Sequence, residues 1–372
     1  MDNVKAALVH DWLTGQRGGE KVLEVLGEIF PDAPIYTLFH VRGSQVPDIE
    51  RRTIRTSFLQ KLPFARKKYR SYLPLFPLAV ELFDLQDFDL VVSTSHCAAK
   101  GAIPHPDALH ISYIHSPVRY AWNQYFSYFS PGKLGVFSKF IVPPVIHYLR
   151  VWDESSSSRV DRFIANSENT ARRIMKYYRR DSVVIHPPAD TDFFTPAERE
   201  ERSGEFLIVS ALVPYKRIDL AIAAFNRARL PLAVIGTGPD IKKLKRLAGP
   251  TIRFLGSLSP EDLREAYRKA RALIIPGEED FGITALEAQA CGTPVIAFGK
   301  GGAVETVIPG QTGVLFQDLS VSGLAGALDK FGSLEFNKVV LRSNAMKFSR
   351  SLFKKKLVSF IETAWRESRS RP

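Results

Sequence analysis

Cysteine is nearly absent from this chain: Cys97 and Cys291 are its only two in 372 residues. Two cysteines cannot build a disulfide framework, and no CxxC pair points to structural zinc. The usage fits a reducing, cytosolic compartment. Long apolar runs are missing too. Asp2, Lys5, His10 and Asp11 break up the start, which argues against a signal peptide. No span approaches the roughly 18 apolar residues that a membrane helix requires. Acid is locally scarce, with none between 51 and 70. Overall composition is that of a folded globular chain rather than a disordered one, and its length allows two domains, each with a core. The net charge of +12 fits nucleic acid, an anionic membrane surface or phosphorylated substrates, and charge alone does not choose among them.

What is present is a repeated alternation of apolar runs and helical periodicity. Val4 to His10 reads as a buried strand, Asp11 to Gly19 as a glycine-rich turn, and Glu20 to Ile29 as a helix. Leu90 to Val92, Leu109 to Ile114 and Arg162 to Ala165 read as further strands. A helix over 166–180 is started by Asn166 or Ser167, and Val183 to His186 follows. The proline- and acid-bearing stretch 187–196 reads as the interdomain connection. Beyond it, Phe206 to Ser210, Leu232 to Gly236, Ile252 to Leu255, Ala272 to Ile275, Val295 to Ala297 and Val314 to Phe316 read as strands. Helical patterns such as Pro260 to Ala270 separate most of them. Such alternation implies parallel sheets with right-handed crossovers. A basic amphipathic run, roughly Leu352 to Glu367, reads as a final helix. The expected domains are 1–195, 204–350 and a tail of 351–372.

The chemistry concentrates in 276–298, PGEEDFGITALEAQACGTPVIAF. An apolar strand opens through Pro276 and Gly277 into an acidic turn, and a helix starts near Ile283 or Thr284 and stops at Gly292. A strand, a glycine turn and a helix are how an open α/β sheet presents a ligand at its carboxyl edge. The N–H groups of Phe281, Gly282 and Ile283 at that helix start favour an anion. Glu279 and Glu287 bracket it and can accept from hydroxyls, which together suits a nucleotide sugar better than a bare nucleotide. The plain alternative for Glu287 is a helix-surface glutamate.

Other signals are weaker alone. Gly18 and Gly19 let the backbone approach a ligand at a helix start, or simply serve a tight turn. His115 stands where a strand gives way to a loop, with Arg119 after it as an acceptor-side cation. Lys216 and Arg217 follow a strand end, where cations could neutralise a diphosphate; a solvated pair is the plain alternative. Gly236 and Gly238 suggest a dinucleotide fingerprint, but its third glycine would fall at Ile241, so a dehydrogenase is disfavoured. The two glycines serve either a close approach to a nucleotide or a simple turn. The Asp-x-Asp pairs at Asp87/Asp89 and Asp190/Asp192 read as structural, and no metal requirement is expected. Residues 51–77 interleave basic residues with Phe58, Leu62, Phe64, Tyr69, Tyr72, Leu73, Leu75 and Phe76. This is either a solvated positive face or a reversible attachment to anionic lipid.

The spacing from Glu279 to Glu287, with Phe281-Gly282 inside it and Gly292-Thr293-Pro294 after it, resembles the signature of retaining glycosyltransferase family 4. Gly301-Gly302, Glu305 and the run Gly310 to Phe316 continue the pattern. The resemblance is near-continuous from about Phe206 to Phe316 and looser before it. It implies the GT-B fold: α/β, with two Rossmann-like domains facing each other across a cleft and the last helix crossing back onto the first. It assigns catalytic roles to His115, Glu279 and Lys216: His115 near the donor sugar and acceptor, Glu279 on the donor-sugar hydroxyls, Lys216 on the diphosphate. It places Glu287 on the ribose diol and Gly18-Gly19 beside the diphosphate and acceptor. Many members have arginine where Ala211 stands here, so one cation is either missing or supplied by Arg217, and the second is expected. The stretches ValProTyrLysArg and TyrIleHisSerProValArgTyrAlaTrp resemble mannosyltransferases of bacterial surface-polysaccharide assembly.

The expected function is therefore retaining transfer of mannose from GDP-mannose to a lipid-linked or polysaccharide hydroxyl, without a cofactor. A peripheral place on the inner face of the cell membrane through 51–77 accompanies it. UDP- or ADP-linked donors, a nucleic-acid-binding protein and a non-catalytic relative are the alternatives. No aromatic-basic nucleic-acid module is visible, so no nucleic-acid partner is expected.

Overall fold

The computed structural model describes residues 4–16, 18–129, 136–198 and 203–370, with backbone alone at 66, 67 and 136–139. Two compact units result, Met1–Pro187 with Phe353–Pro372, and Pro188–Leu352.

The first unit holds a seven-stranded parallel sheet in the order β3-β2-β1-β4-β5-β6-β7. Its strands are β1 Ala6–His10, β2 Ile35–Thr37, β3 Ile54–Thr56, β4 Leu90–Ser95, β5 Leu109–Ile114, β6 Arg162–Ala165 and β7 Val183–Val184. Every residue of β1, β4 and β5 is buried, which is why these strands read as apolar runs rather than alternating ones. One face is covered by Val22, Leu23, Val25 and Leu26 of the Gly18–Ile29 helix, together with Phe353, Leu357, Ile361 and Ala364 of the Arg350–Arg369 helix. That last set recurs every three to four residues, so one stripe of the final helix is buried in the first unit. Burial of Phe353, Leu357 and Ile361 contributes about 1.5–3 kcal/mol each. The opposite face packs on Leu59, Tyr69, Phe76, Ala79 and Val80.

The second unit holds a six-stranded parallel sheet, β10-β9-β8-β11-β12-β13. Its strands are β8 Phe206–Val209, β9 Leu232–Ile235, β10 Ile252–Gly256, β11 Leu273–Ile275, β12 Val295–Phe298 and β13 Gly313–Phe316. Cores lie on both faces. In each sheet the strand order reverses once, beside β1 and β4 in the first and beside β8 and β11 in the second. These reversals leave a crevice at the carboxyl ends, where open α/β sheets bind ligands.

Three features depart from the sequence reading. The stretch from Pro188 belongs to the second unit, so Thr195 lies inside it rather than between units. Phe194 is buried there against Tyr267, with ring centroids 5.7 Å apart, and Arg342 donates to the Thr191 and Phe194 carbonyls. Strands β2 and β3 were not expected, because three residues carry too little periodicity. The Val136–Ser155 helix was also not read, because Pro143 and Pro144 lie inside it and proline argues against a helix interior.

Candidate functional site

The reversal in the second sheet gathers the residues predicted from 276–298. The loop leaving β8 carries Lys216 and the loop leaving β11 carries Glu279, and the Lys216 ammonium pairs with the Glu279 carboxylate. Two residues 63 positions apart thus meet at one sheet edge. The loop from β11 then turns through Gly282, at φ +91°, into the helix Ile283–Ala290. Only glycine enters that conformation at little cost. Its shape is fixed from the next loop: Gly302 N–H donates to the Glu279 carbonyl at 2.8 Å. A Cβ on Gly302 would lie 2.2 Å from the Phe281 Cα, and one on Gly301 2.0 Å from the Glu279 oxygen. These glycines therefore shape the bend that carries Phe281, Gly282 and Ile283.

Glu287 is not a surface glutamate. It is buried on the Ile283–Ala290 helix and accepts from the Tyr267 hydroxyl at 3.0 Å. Burial, with Glu287 beside it, pushes the Tyr267 phenol well up, so the phenol stays protonated as donor. Arg217 sits at φ +53° before the helix Ile218–Ala228, its Nε 3.3 Å from Asp219 Oδ1. Gly236 and Gly238 have a packing explanation. Added Cβ atoms would fall 1.9 Å from the Ser210 oxygen and 2.3 Å from the Leu212 oxygen, so the β9 exit lies directly on the β8 exit.

The reversal in the first sheet assembles a second cluster. His115 follows β5, and its Nε2 is 3.3 Å from where a Cβ on Gly19 would stand; Gly18 precedes it, exposed, at the helix start. Burial, with His96 and His10 nearby, pushes the His115 imidazole well below its ordinary range, so it is neutral at pH 7. Arg119 is part-buried, with Nε 3.2 Å from Ser116 Oγ.

Four residues that sequence reasoning missed complete this edge: His10, Asp11, Glu20 and His96. Asp11 is fully buried and accepts from the N–H groups of His96, Cys97, Ala98 and Ala99 at 2.6–2.9 Å, and its Oδ2 lies 3.0 Å from His96 Nδ1. Burial pushes this carboxyl up, but the His96 contacts outweigh it and hold it below the ordinary carboxylate range. His10 Nδ1 is 2.5 Å from Thr94 Oγ1, and its Nε2 lies 4.0 Å from Glu20. The signal was available. His10, Asp11 and His96 stand at strand ends, as His115 does. Beneath the Asp11-bound turn, the buried Lys100 ammonium pairs with Asp153 at 3.1 Å and donates to Ser156 Oγ at 2.7 Å. Among the described residues no group of three or more His, Cys, Asp or Glu is placed to hold a metal ion.

Each half of the chain matches a known family model. Residues 190–348 match the family model described as glycosyl transferases group 1, and residues 36–193 match that of glycosyltransferase family 4. Solved structures with the same fold include the apo form of a lipopolysaccharide outer core galactosyltransferase, WaaB. Its TM-score is 0.66 and identity 18%, over 96% of this chain and 99% of that one. Another is Anabaena Alr3699/HepE in complex with UDP and glucose, with TM-score 0.71 and identity 16%, over 97% and 100%. The chain has the GT-B fold of these structures, and its two halves match the two glycosyltransferase models in turn.

Among curated proteins it is similar to D-inositol 3-phosphate glycosyltransferase of Geodermatophilus obscurus, 33% identical over 48% of this chain and 47% of that protein. The Rhodococcus erythropolis protein of the same name is 32% identical, over 48% of each. The chain thus spans about half the length of the curated relatives it matches. They do not bear the mannosyltransferase name that the sequence pattern resembled.

Proposed function

We infer that the chain transfers a sugar from a nucleoside diphosphate to a hydroxyl with retained anomeric configuration, the donor being GDP-mannose and the acceptor a lipid-linked or polysaccharide glycan. The observation that carries this reading is the Lys216–Glu279 pair at the second sheet's reversal, beside the Gly282 bend and its helix. Lys216 and the N–H groups at 281–283 would face the diphosphate, which gains negative charge as it leaves. Glu279 would accept from donor-sugar hydroxyls, and Glu287, oriented by Tyr267, from the ribose. Arg217 is the second cation of this reading. In front-face substitution the bond from the anomeric carbon to the diphosphate oxygen breaks. The bond to the acceptor oxygen forms on the same side, and the acceptor proton passes to the leaving diphosphate. No enzyme nucleophile and no cofactor is required. His115, neutral and set against Gly19, would receive the acceptor side with Arg119.

The UDP and glucose held by the Anabaena neighbour support a sugar-nucleotide donor. The inositol phosphate in the relatives' names supports a second reading of the acceptor, a phosphorylated polyol. The basic stretch 51–77 supports a peripheral place at an anionic membrane.

A thermal-shift series with GDP-, UDP- and ADP-sugars, followed by product analysis with the best stabiliser, tests donor and acceptor together. Glu279→Gln should fold normally and lower turnover by about 100-fold or more. Turnover within about twofold of the parent would remove its role. Affinity for nucleic acid undiminished by a bound sugar nucleotide would reverse the expectation of no nucleic-acid partner.

A further inference from the structure

The structure separates two properties that the sequence run 51–77 had blended. Of its eight interleaved apolar residues, Tyr69 and Phe76 are core, and Leu62, Tyr72 and Leu73 are part-buried. Only Phe58, Phe64 and Leu75 are exposed. The stretch supplies charge rather than an apolar face: Arg55, Lys61, Lys68 and Arg70 are exposed, while the side chains of Arg66 and Lys67 lie outside the described residues.

The apolar face comes from two neighbouring helices. In the Val136–Ser155 helix, Ile146 and Leu149 are buried and Val142 and Val145 part-buried on the inner side. On the outer side Phe140 is 77% exposed and Ile141 60%, and Pro144, Tyr148 and Val151 continue the exposed stripe at helical spacing. From Phe140 to Val151 the only charged residue is Arg150. A helix apolar all round is ordinarily buried in a core or spans a membrane, and an apolar stripe left exposed beside basic residues suits contact with a membrane surface. The Phe76–Glu81 helix repeats the pattern, with Phe76, Ala79 and Val80 buried, and Leu75, Leu78 and Leu82 exposed at intervals of three and four. The two helices adjoin. Leu73, just before the shorter helix, packs against the cluster that holds Ile146 and Leu149, and the Trp152 indole donates to Glu81 at 2.8 Å. Phe64 stands 72% exposed at φ +56°, a left-handed conformation rarely adopted outside glycine, and no burial in the described chain offsets it. The Lys68 ammonium lies 5.7 Å from its ring centre.

We propose that the exposed stripes of the Val136–Ser155 and Phe76–Glu81 helices, with Phe64, form a face that inserts shallowly into an anionic bilayer, the basic residues of 51–70 contacting its headgroups. This rests on the membrane reading above and moves its anchor from the basic run to these helices. Charge complementarity selects the bilayer as occupant. The flanking segment from Ile54 to Val80 carries no acid. Glu81 is tied to Trp152 and Arg159, and Asp84, Asp87 and Glu154 are exposed acids near the C-terminal ends of the two helices. The helices bury one face each, so the mode is lying on the membrane rather than crossing it. No helix among the described residues is long and apolar enough to cross.

The test is flotation of the full chain with vesicles of phosphatidylcholine alone, or of equal parts phosphatidylcholine and phosphatidylglycerol. Binding is expected to the anionic vesicles, weakened but not abolished by added salt. The triple variant Phe140→Ser, Ile141→Ser, Val151→Ser should bind about tenfold more weakly or worse, since each removes apolar area from the contact. Leu78→Ser with Leu82→Ser provides a second variant should the first lose its fold, judged by circular dichroism. Wild-type binding by folded variants, or equal binding to neutral vesicles, overturns the proposal. So does a concentration-dependent dimer that the triple variant loses while vesicle binding persists, because a second copy would then be the occupant. Vesicle binding is read without sugar nucleotide, and donor-induced thermal shifts are read without vesicles. Failure of the transferase reading and failure of this one are therefore separate results.

Discussion

Gly19→Ala perturbs the first unit's edge by one methyl group and separates function from stability. Gly19 lies in the first turn of the Gly18–Ile29 helix, outside the positive-φ set, so alanine fits the backbone. Replacing a helical glycine by alanine contributes about 0.5–1 kcal/mol of stability. Against that, the new Cβ would stand 3.3 Å from His115 Nε2 and 3.6 Å from His10 Cε1. Relieving the first contact requires the imidazole to shift by a few tenths of an ångström, a cost comparable with the helix gain. Stability should therefore change by less than about 1 kcal/mol in urea unfolding. Turnover should respond more strongly, because displacement at a reacting centre can cost up to about 100-fold per ångström. We expect roughly a 3- to 10-fold fall in transfer rate at saturating donor, with the donor-induced thermal shift unchanged. Full activity with an unchanged fold would refute the placement of His115 at the reacting edge. A loss of several kcal/mol of stability would instead show Gly19 to be a packing glycine.

Three further outcomes follow from the geometry. Gly302→Ala should destabilise by more than about 2 kcal/mol, because its Cβ would meet backbone at 2.2 Å rather than a side chain able to move aside; equilibrium unfolding checks it. Lys100→Met should cost about 3–5 kcal/mol by the same measurement, leaving the Asp153 charge buried without its cation, although Trp122 and Tyr178 still donate to it at 2.7 and 2.9 Å. Burial pushes His110 down to about 4, so the folded state keeps it neutral while the unfolded chain protonates near 6.5. Its contribution is therefore complete above pH 6.5 and is lost as pH falls towards 4, at about 1.4 kcal/mol per pH unit. His115 acts in the same direction, so unfolding free energy should fall between pH 7 and 5, before the carboxylates titrate, and His110→Gln should flatten that decline.

The sequence by itself determined the alternation of strands and helices, because strands buried on both faces must be apolar throughout. The first strand, those starting at Leu90, Leu109 and Arg162, and five of the six in the second sheet were legible for that reason; the edge strand Ile252–Gly256 is buried only at Ile252. So was the bend around Glu279 to Gly282, where glycine and carboxylates stand close together in the chain. Tertiary structure decided what depends on distant residues or on which side of an element faces inward. It joined Lys216 to Glu279, buried Glu287 under Tyr267, and drew His10, Asp11 and His96 to the edge that His115 alone had marked. It also showed that the aromatic residues of 51–77 largely serve the core, while the Val136–Ser155 helix, obscured by its prolines, carries apolar residues inside and out between Phe140 and Val151. Periodicity records that a residue is apolar; only packing records whether another part of the chain covers it.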